Sequence, residues 1–171
     1  MLNKEEIRQL IVQHGLVTEY VDLEMQLQPS GFDISLRDVH VFTGSGSIDF
    51  TNNERVISTS SPIIPDNEGW WWLPKGCYKI YYNEIVKIPL DVSAIARTRS
   101  SLLRNGASLQ TAVWDPGYNG RSNSLLIVYN NDGIRLKRDA RIAQLIFFRI
   151  INVEEGYRGI YQNEFVTKKE D

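Results

Sequence analysis

The chain has 171 residues, one domain of ordinary size at roughly 100–200 residues per domain. A chain of this length buries about 70% of its unfolded surface and needs no disulfide or metal staple. Hydrophobic residues at 42% and charged residues at 23% exclude a disordered chain, and a net charge of −2 excludes a protein that coats nucleic acid by bulk positive charge.

The single cysteine, Cys77, excludes an internal disulfide and suits a reducing, cytoplasmic location. With only His14 and His40 beside it, the ligand set for a structural zinc site is missing. The zinc-dependent nucleobase deaminase signature is absent as well. No apolar stretch is long enough to predict a membrane helix, and the acidic opening MLNKEEIRQL does not read as a signal peptide.

Residues 3–14 predict an amphipathic helix. Asn3 and Glu6 make a capping box, Ile7, Leu10 and Ile11 make one apolar stripe, and Gly15 supplies the stop. Short runs rich in β-branched and aromatic residues follow. They predict strands at Phe32–Leu36, Val39–Phe42, Val56–Ser58, Cys77–Tyr82, Ile85–Ile88, Ser108–Val113, Leu125–Tyr129, Ile134–Leu136 and Ile142–Ile150. Turn signals such as Asp115-Pro116-Gly117 and Asn131-Asp132-Gly133 punctuate them. The pattern predicts an all-β sandwich, jelly roll or barrel. Thr167–Asp171 are charged and expected to fray.

Three segments carry candidate chemistry. Ser93–Arg104 reads as a short helix, either a solvated face or an anion site built from hydroxyls and Arg97, Arg99 and Arg104. Thr111–Gly120 reads as strand, turn and strand. Asp115 there is either a cap for the turn's N–H groups or a carboxylate placed to take a proton from water. In the third, Gln144 stands in the apolar run Arg141–Ile146 and needs partners if buried.

In order and spacing these segments resemble the dUTPase and dCTP deaminase superfamily. The first motif is Gln28-Pro-Ser-Gly-Phe-Asp-Ile-Ser-Leu36, and the second Arg99-Ser-Ser-Leu102 with Gly106. The third is Asp115-Pro-Gly-Tyr-Asn-Gly120, and the fourth Arg141-Ile-Ala-Gln-Leu-Ile146. The resemblance implies one dUTPase-like domain over residues 1–171, a distorted jelly-roll barrel with a 156–171 tail. It also implies a homotrimer with active sites at subunit boundaries, acting on a nucleotide and on neither nucleic acid nor membrane.

The family holds two chemistries, hydrolysis of dUTP to dUMP and pyrophosphate, and deamination of dCTP. By similarity, Asp115 is the base that activates water, and Tyr118 lies under the deoxyribose and excludes a 2′-hydroxyl. Ser100 and Gln144 hold phosphate oxygens, and Arg99, Ser101 and Arg104 belong to the same substrate-binding set. Main-chain groups around Ala112 and Val113 read the base, and Asp33 supports the metal–phosphate region. Magnesium would be carried mainly by the triphosphate.

The deaminase glutamate stands three residues before an asparagine, which here is Ile127 before Asn130. No acid occurs from Pro116 to Asn131, so the resemblance favours the hydrolase over a deaminase or a bifunctional enzyme, and the presence of Asp115, Tyr118, Ser100 and Gln144 favours it over a non-catalytic nucleotide binder. The opening helix and the tail Gly156-Tyr-Arg-Gly-Ile-Tyr-Gln162 are nonetheless deaminase-like, and Tyr161 and Arg158 are candidates to close the site. Trp70–Trp72 are expected to pack, Cys77 to be a small buried hydrophobe, and Trp114 to narrow the pocket or join the core.

Overall fold

Asn3 opens the first helix as the sequence predicts. Its side chain accepts from the Glu5 and Glu6 N–H groups, and its own N–H donates to Glu6 Oε2 at 2.9 Å. Gly15 closes the helix in the left-handed region at φ 65°, where a side chain would be strained. The computed structural model describes residues 1–151 and 153–166, so the Thr167–Asp171 expectation lies outside the described residues.

The elements in chain order begin with α1 (Lys4–His14), β1 (Val17–Thr18), α2 (Leu23–Gln26), β2 (Leu27–Gln28), β3 (Gly31–Phe42) and β4 (Ser60–Pro62). Next come β5 (Trp70–Leu73), β6 (Gly76–Tyr82), β7 (Ile85–Lys87), β8 (Val92–Thr98) and α3 (Ser100–Arg104). The last are β9 (Ala107–Gln110), β10 (Asn119–Gly120), β11 (Asn123–Val128), β12 (Ile134–Lys137) and β13 (Arg141–Arg149). The main sheet runs β8-β13-β3-β6-β11-β9, beside a β1-β7-β10 sheet and a β5-β12 pair. Together they curl into the nearly closed jelly-roll barrel that the turn-rich pattern predicts. Phe32, Leu36, Trp71, Tyr82, Leu126 and Phe147 fill its interior, and the Ile7, Leu10 and Ile11 stripe of α1 joins the same cluster.

Several expectations need correction. Only Ser100–Arg104 of the Ser93–Arg104 segment is helical. Val92–Thr98 is a strand paired along β13, with Val92 and Ala94 buried between more exposed neighbours. The two runs at 32–36 and 39–42 form one strand, bent by a bulge between Leu36 and Asp38. Val56–Ser58 makes only an isolated bridge from Val56 to Ser47, and the neighbouring strand is Ser60–Pro62.

The strand expected at Ser108–Val113 stops at Gln110. Trp70–Leu73 is a strand of its own in which Trp71 is buried and Trp72 is exposed. Cys77 is exposed, because Tyr78, Ile80 and Tyr82 take the inward positions of β6 and leave residue 77 on the outer face.

Candidate active site

The Asp115 turn is clamped by main-chain bonds to two neighbouring segments. Trp114 and Ala94 exchange N–H···O bonds of 2.9 Å in both directions, and the Gly117 N–H donates to the Ile88 carbonyl at 3.0 Å. The Asp115 carboxylate is exposed and takes no part in the turn's hydrogen bonds. A polar group free of structural duty at a rigid turn is available to a ligand.

It faces a cavity of about 420 Å³ shared with Ala112, Val113, Trp114, Tyr118 and Asn123. Because β9 ends at Gln110, the Ala112 and Val113 main chain is outside any ladder, and its polar groups are free for a planar ligand edge. Tyr118 forms a firm floor. Its hydroxyl lies 3.3 Å from Ser122 Oγ, which also accepts from Trp114 Nε1 at 2.6 Å. Burial pushes the Tyr118 phenol above its ordinary range, so it stays protonated.

The 156–166 segment folds back over this turn. The Tyr157 N–H donates to the Pro116 carbonyl at 2.7 Å, and Gln162 Nε2 donates to the Gly117 carbonyl at 2.8 Å. Gln162 Oε1 accepts from the Asn119 N–H at 3.0 Å, and the Arg121 N–H donates to the Glu164 carbonyl at 2.8 Å. A Cβ on Gly117 (φ 79°) would meet the Gly156 Cα at 2.9 Å, so glycine permits the two backbones to touch. The tail thereby brings Tyr157, Tyr161 and Glu164 to the cavity wall, with the Tyr157 ring edge-on to Tyr118 at 5.6 Å. Arg158 does not line the cavity; it is exposed and pairs with Glu155 at 3.5 Å.

The other nominated residues gather elsewhere. Asp33 on β3 is buried, and its Oδ2 lies 3.1 Å from Arg99 Nε and 3.4 Å from Arg141 Nη1. Burial pushes the Asp33 carboxyl above the ordinary carboxylate range, and the two guanidinium groups pull it back. Gln144 is paired directly across from Asp33. Ser100, Ser101 and Arg104 are exposed on α3 just after Arg99. Ser101 lines a second cavity of about 420 Å³ with Trp72, Asn105, Arg135 and Arg141.

The two groups are therefore separate within one chain. Asp115 sits beside Ala94 near the start of β8, and Arg99 follows its end. Five residues of strand at about 3.3 Å each put about 16 Å between those levels.

Ile127 lies on β11 between Cys77 and Ser108, on the same face as Asn123. The second carboxylate of the Asp115 cavity comes instead from Glu164. Burial pushes it above the ordinary range, against the pull of Lys79. Sequence reasoning named Tyr161 but missed Glu164, Tyr157 and Asn123. No local spacing marks them: the path of the tail joins Tyr157 and Glu164 to Asp115, and Asn123 reaches the cavity from the start of β11.

Among the described residues no three His, Cys, Asp or Glu side chains gather into a metal-binding group. The donor set therefore does not make a protein cage for a cation, and Asp33 is taken up by arginines. Among the same residues no helix is long and apolar enough to cross a membrane.

The family model described as dCTP deaminase-like matches residues 1–150. A relative from Methanosarcina barkeri, named a probable deoxyuridine 5′-triphosphate nucleotidohydrolase, is 49% identical over 166 residues, covering 96% of this chain and 97% of that protein. One of the same name from Archaeoglobus fulgidus is 46% identical over 164 residues, covering 96% of each chain. The crystal structure of 2′-deoxycytidine 5′-triphosphate deaminase from Agrobacterium tumefaciens superposes with a TM-score of 0.63 at 22% identity. It covers 87% of this chain, which spans about half (48%) of that one. At that identity the structural likeness establishes the jelly-roll fold alone.

Proposed function

The chain belongs to the dUTPase and dCTP deaminase family, and we propose that within it this protein is a dUTP diphosphatase. The observation that carries the reading is the exposed Asp115 carboxylate, free of the turn's hydrogen bonds, at the mouth of a cavity floored by Tyr118. The relatives that match nearly end to end carry the dUTP nucleotidohydrolase name.

In this reading the base enters beside the Ala112 and Val113 main chain, and the deoxyribose rests on Tyr118, which has no room for a 2′-hydroxyl. Asp115 takes a proton from a water that attacks the α-phosphorus. A new P–O bond forms, the bond to the bridging oxygen breaks, and pyrophosphate leaves. Ser100, Ser101, Arg99, Arg104 and Gln144 hold the phosphates, and Asp33 acts on them by orienting Arg99 and Arg141. Mg2+ carried by the triphosphate would supply charge neutralisation beside the Arg99 group. Tyr161 closes the nucleoside end.

The Asp115 group and the Arg99 group meet across a subunit boundary in a cyclic homotrimer. What supports this is their separation of about 16 Å along β8 within one chain. A cytoplasmic location fits the single free cysteine.

One observation favours a second activity. Glu164 places a carboxyl in the Asp115 cavity although Ile127 cannot serve. The test is product analysis with dUTP and dCTP in separate incubations. The account expects dUMP and pyrophosphate from dUTP, with dCTP unchanged. Ammonia from dCTP, lost on Glu164→Gln, would establish the second activity.

A further inference from the structure

Glu84 is a carboxylate without exposed surface, and among the described residues no Lys, Arg or His pairs with it. Removing a charge from water without a counter-charge is expensive, so its surroundings must repay that cost through hydrogen bonds. Glu84 Oε1 accepts from Gln26 Nε2 at 2.6 Å and from Ser35 Oγ at 2.7 Å, and Oε2 accepts from the Ser35 N–H at 2.9 Å. The donors lead to one place. Gln26 Nε2 also donates to the Asp33 carbonyl at 2.8 Å, and Gln26 Oε1 accepts from the Val21 and Asp22 N–H groups at 2.8 Å. Ser35 stands two residues beyond Asp33 on the same side of β3. Its hydroxyl accepts from Asn83 Nδ2 at 2.9 Å.

Glu84 thus holds the β3 main chain directly after Asp33, the Ser35 N–H by its own Oε2 and the Asp33 carbonyl through Gln26, and the Asp33 carboxylate in turn holds Arg99 and Arg141. We propose that Glu84, acting through Gln26 and Ser35, is a positioning residue that sets Asp33 and with it the two-arginine clamp for the phosphate chain of the substrate. This rests on the reading of the Arg99 group as the phosphate half of the site. Glu84 touches no substrate. An amide in its place cannot do the same work. It has one acceptor oxygen, and whichever way it turns its NH2 faces either the Ser35 N–H or Gln26 Nε2. Turning Gln26 to suit would set its own NH2 against the Val21 and Asp22 N–H groups.

The experiment measures binding of inorganic tripolyphosphate with Mg2+ by calorimetry, on the full chain and on Glu84→Gln. Deoxyuridine binding, dUTP kinetics and thermal unfolding are measured in parallel. The account expects the tripolyphosphate Kd and the KM for dUTP to rise about fivefold or more, with kcat within about twofold and deoxyuridine affinity unchanged. A merely structural role predicts a lower Tm with the tripolyphosphate Kd unchanged, and that result in folded Glu84→Gln overturns the proposal. Absence of tripolyphosphate binding to the wild-type protein overturns it too. Should Glu84→Gln fail to fold, Ser35→Ala, which removes one donor to Oε1, takes its place. A smaller rise in Kd is expected there, and a wild-type Kd overturns the proposal. Wild-type protein that binds tripolyphosphate but leaves dUTP intact counts against the diphosphatase reading alone.

Discussion

Arg99 Nε lies 3.1 Å from the Asp33 carboxylate, which is itself buried in β3 and shared with Arg141. Asp33 is the acid that both guanidinium groups share, and each has one main-chain partner besides, Arg99 the Arg141 carbonyl and Arg141 the Met25 carbonyl. Asp33→Ala removes the charged hydrogen-bond partner of two partly exposed arginines and is predicted to destabilise the fold by about 2 kcal/mol. It should also raise KM for dUTP far more than it lowers kcat. Denaturant unfolding with steady-state kinetics checks both, and an unchanged KM in a folded variant contradicts the clamp.

Asp115 stands in the opposite situation. Its carboxylate is exposed and supports nothing in the turn. Asp115→Asn should change stability by less than about 0.5 kcal/mol. Turnover should fall by about a thousandfold, the scale of a lost general base. Nucleotide affinity should stay close to wild type, which a non-hydrolysable dUTP analogue would report. Retained turnover would remove Asp115 from the chemistry.

In the proposed reading Tyr118 excludes the 2′-hydroxyl by its ring, since its own hydroxyl is occupied with Ser122. UTP should therefore be about a hundredfold poorer than dUTP in kcat/KM. Tyr118→Phe should keep that discrimination. Comparable rates on the two nucleotides would discard the steric argument.

The tail is held to the Asp115 turn partly by the side chain of Gln162, which bonds both the Gly117 carbonyl and the Asn119 N–H. Gln162→Ala removes two hydrogen bonds worth about 1 kcal/mol each. A loss in kcat/KM of about tenfold is expected if closure by Tyr161 and Glu164 aids the reaction. The barrel core does not depend on that side chain, so Tm should barely move.

Glu84 gives the fold a pH signature. Burial pushes its carboxyl above the ordinary carboxylate range, and the hydrogen bonds from Ser35 and Gln26 pull it back. The native state then holds the Glu84 proton more tightly than the unfolded chain does. The resulting stabilisation is complete below the unfolded carboxylate value near pH 4 and is lost as pH rises through the raised folded value. Glu84→Gln cannot titrate. The stability difference between wild type and this variant should be largest at acid pH and shrink toward neutrality in paired denaturant titrations. A difference that grows with pH would reverse the sign.

Signals between near neighbours are legible in the sequence, and those between distant segments are not. The caps of α1 rest on residues within one turn of each other, and they form as expected. Ser93–Thr98 reads as the start of a helix because Ala-Ile-Ala-Arg suits a helix too. Its partner β13, far along the chain, decides for strand. The outward position of Cys77 is legible in the alternation of Tyr78, Ile80 and Tyr82 with their neighbours, whereas residue type alone points cysteine inward. Glu164 carried no readable sign, since its place beside Tyr118 depends on the tail turning back over Pro116–Arg121.

The central claim, that the Asp115 group and the Arg99 group work together only across two subunits, is tested most directly by mixing two inactive variants. Asp115→Asn and Ser100→Ala are each purified, unfolded together in equal amounts and refolded, and dUTP hydrolysis is assayed. If sites are shared around a cyclic trimer, about a quarter of them in a random mixture combine an intact Asp115 with an intact Ser100, and activity returns to that fraction of wild type. If each site is built within one chain, the mixture stays as inactive as its components.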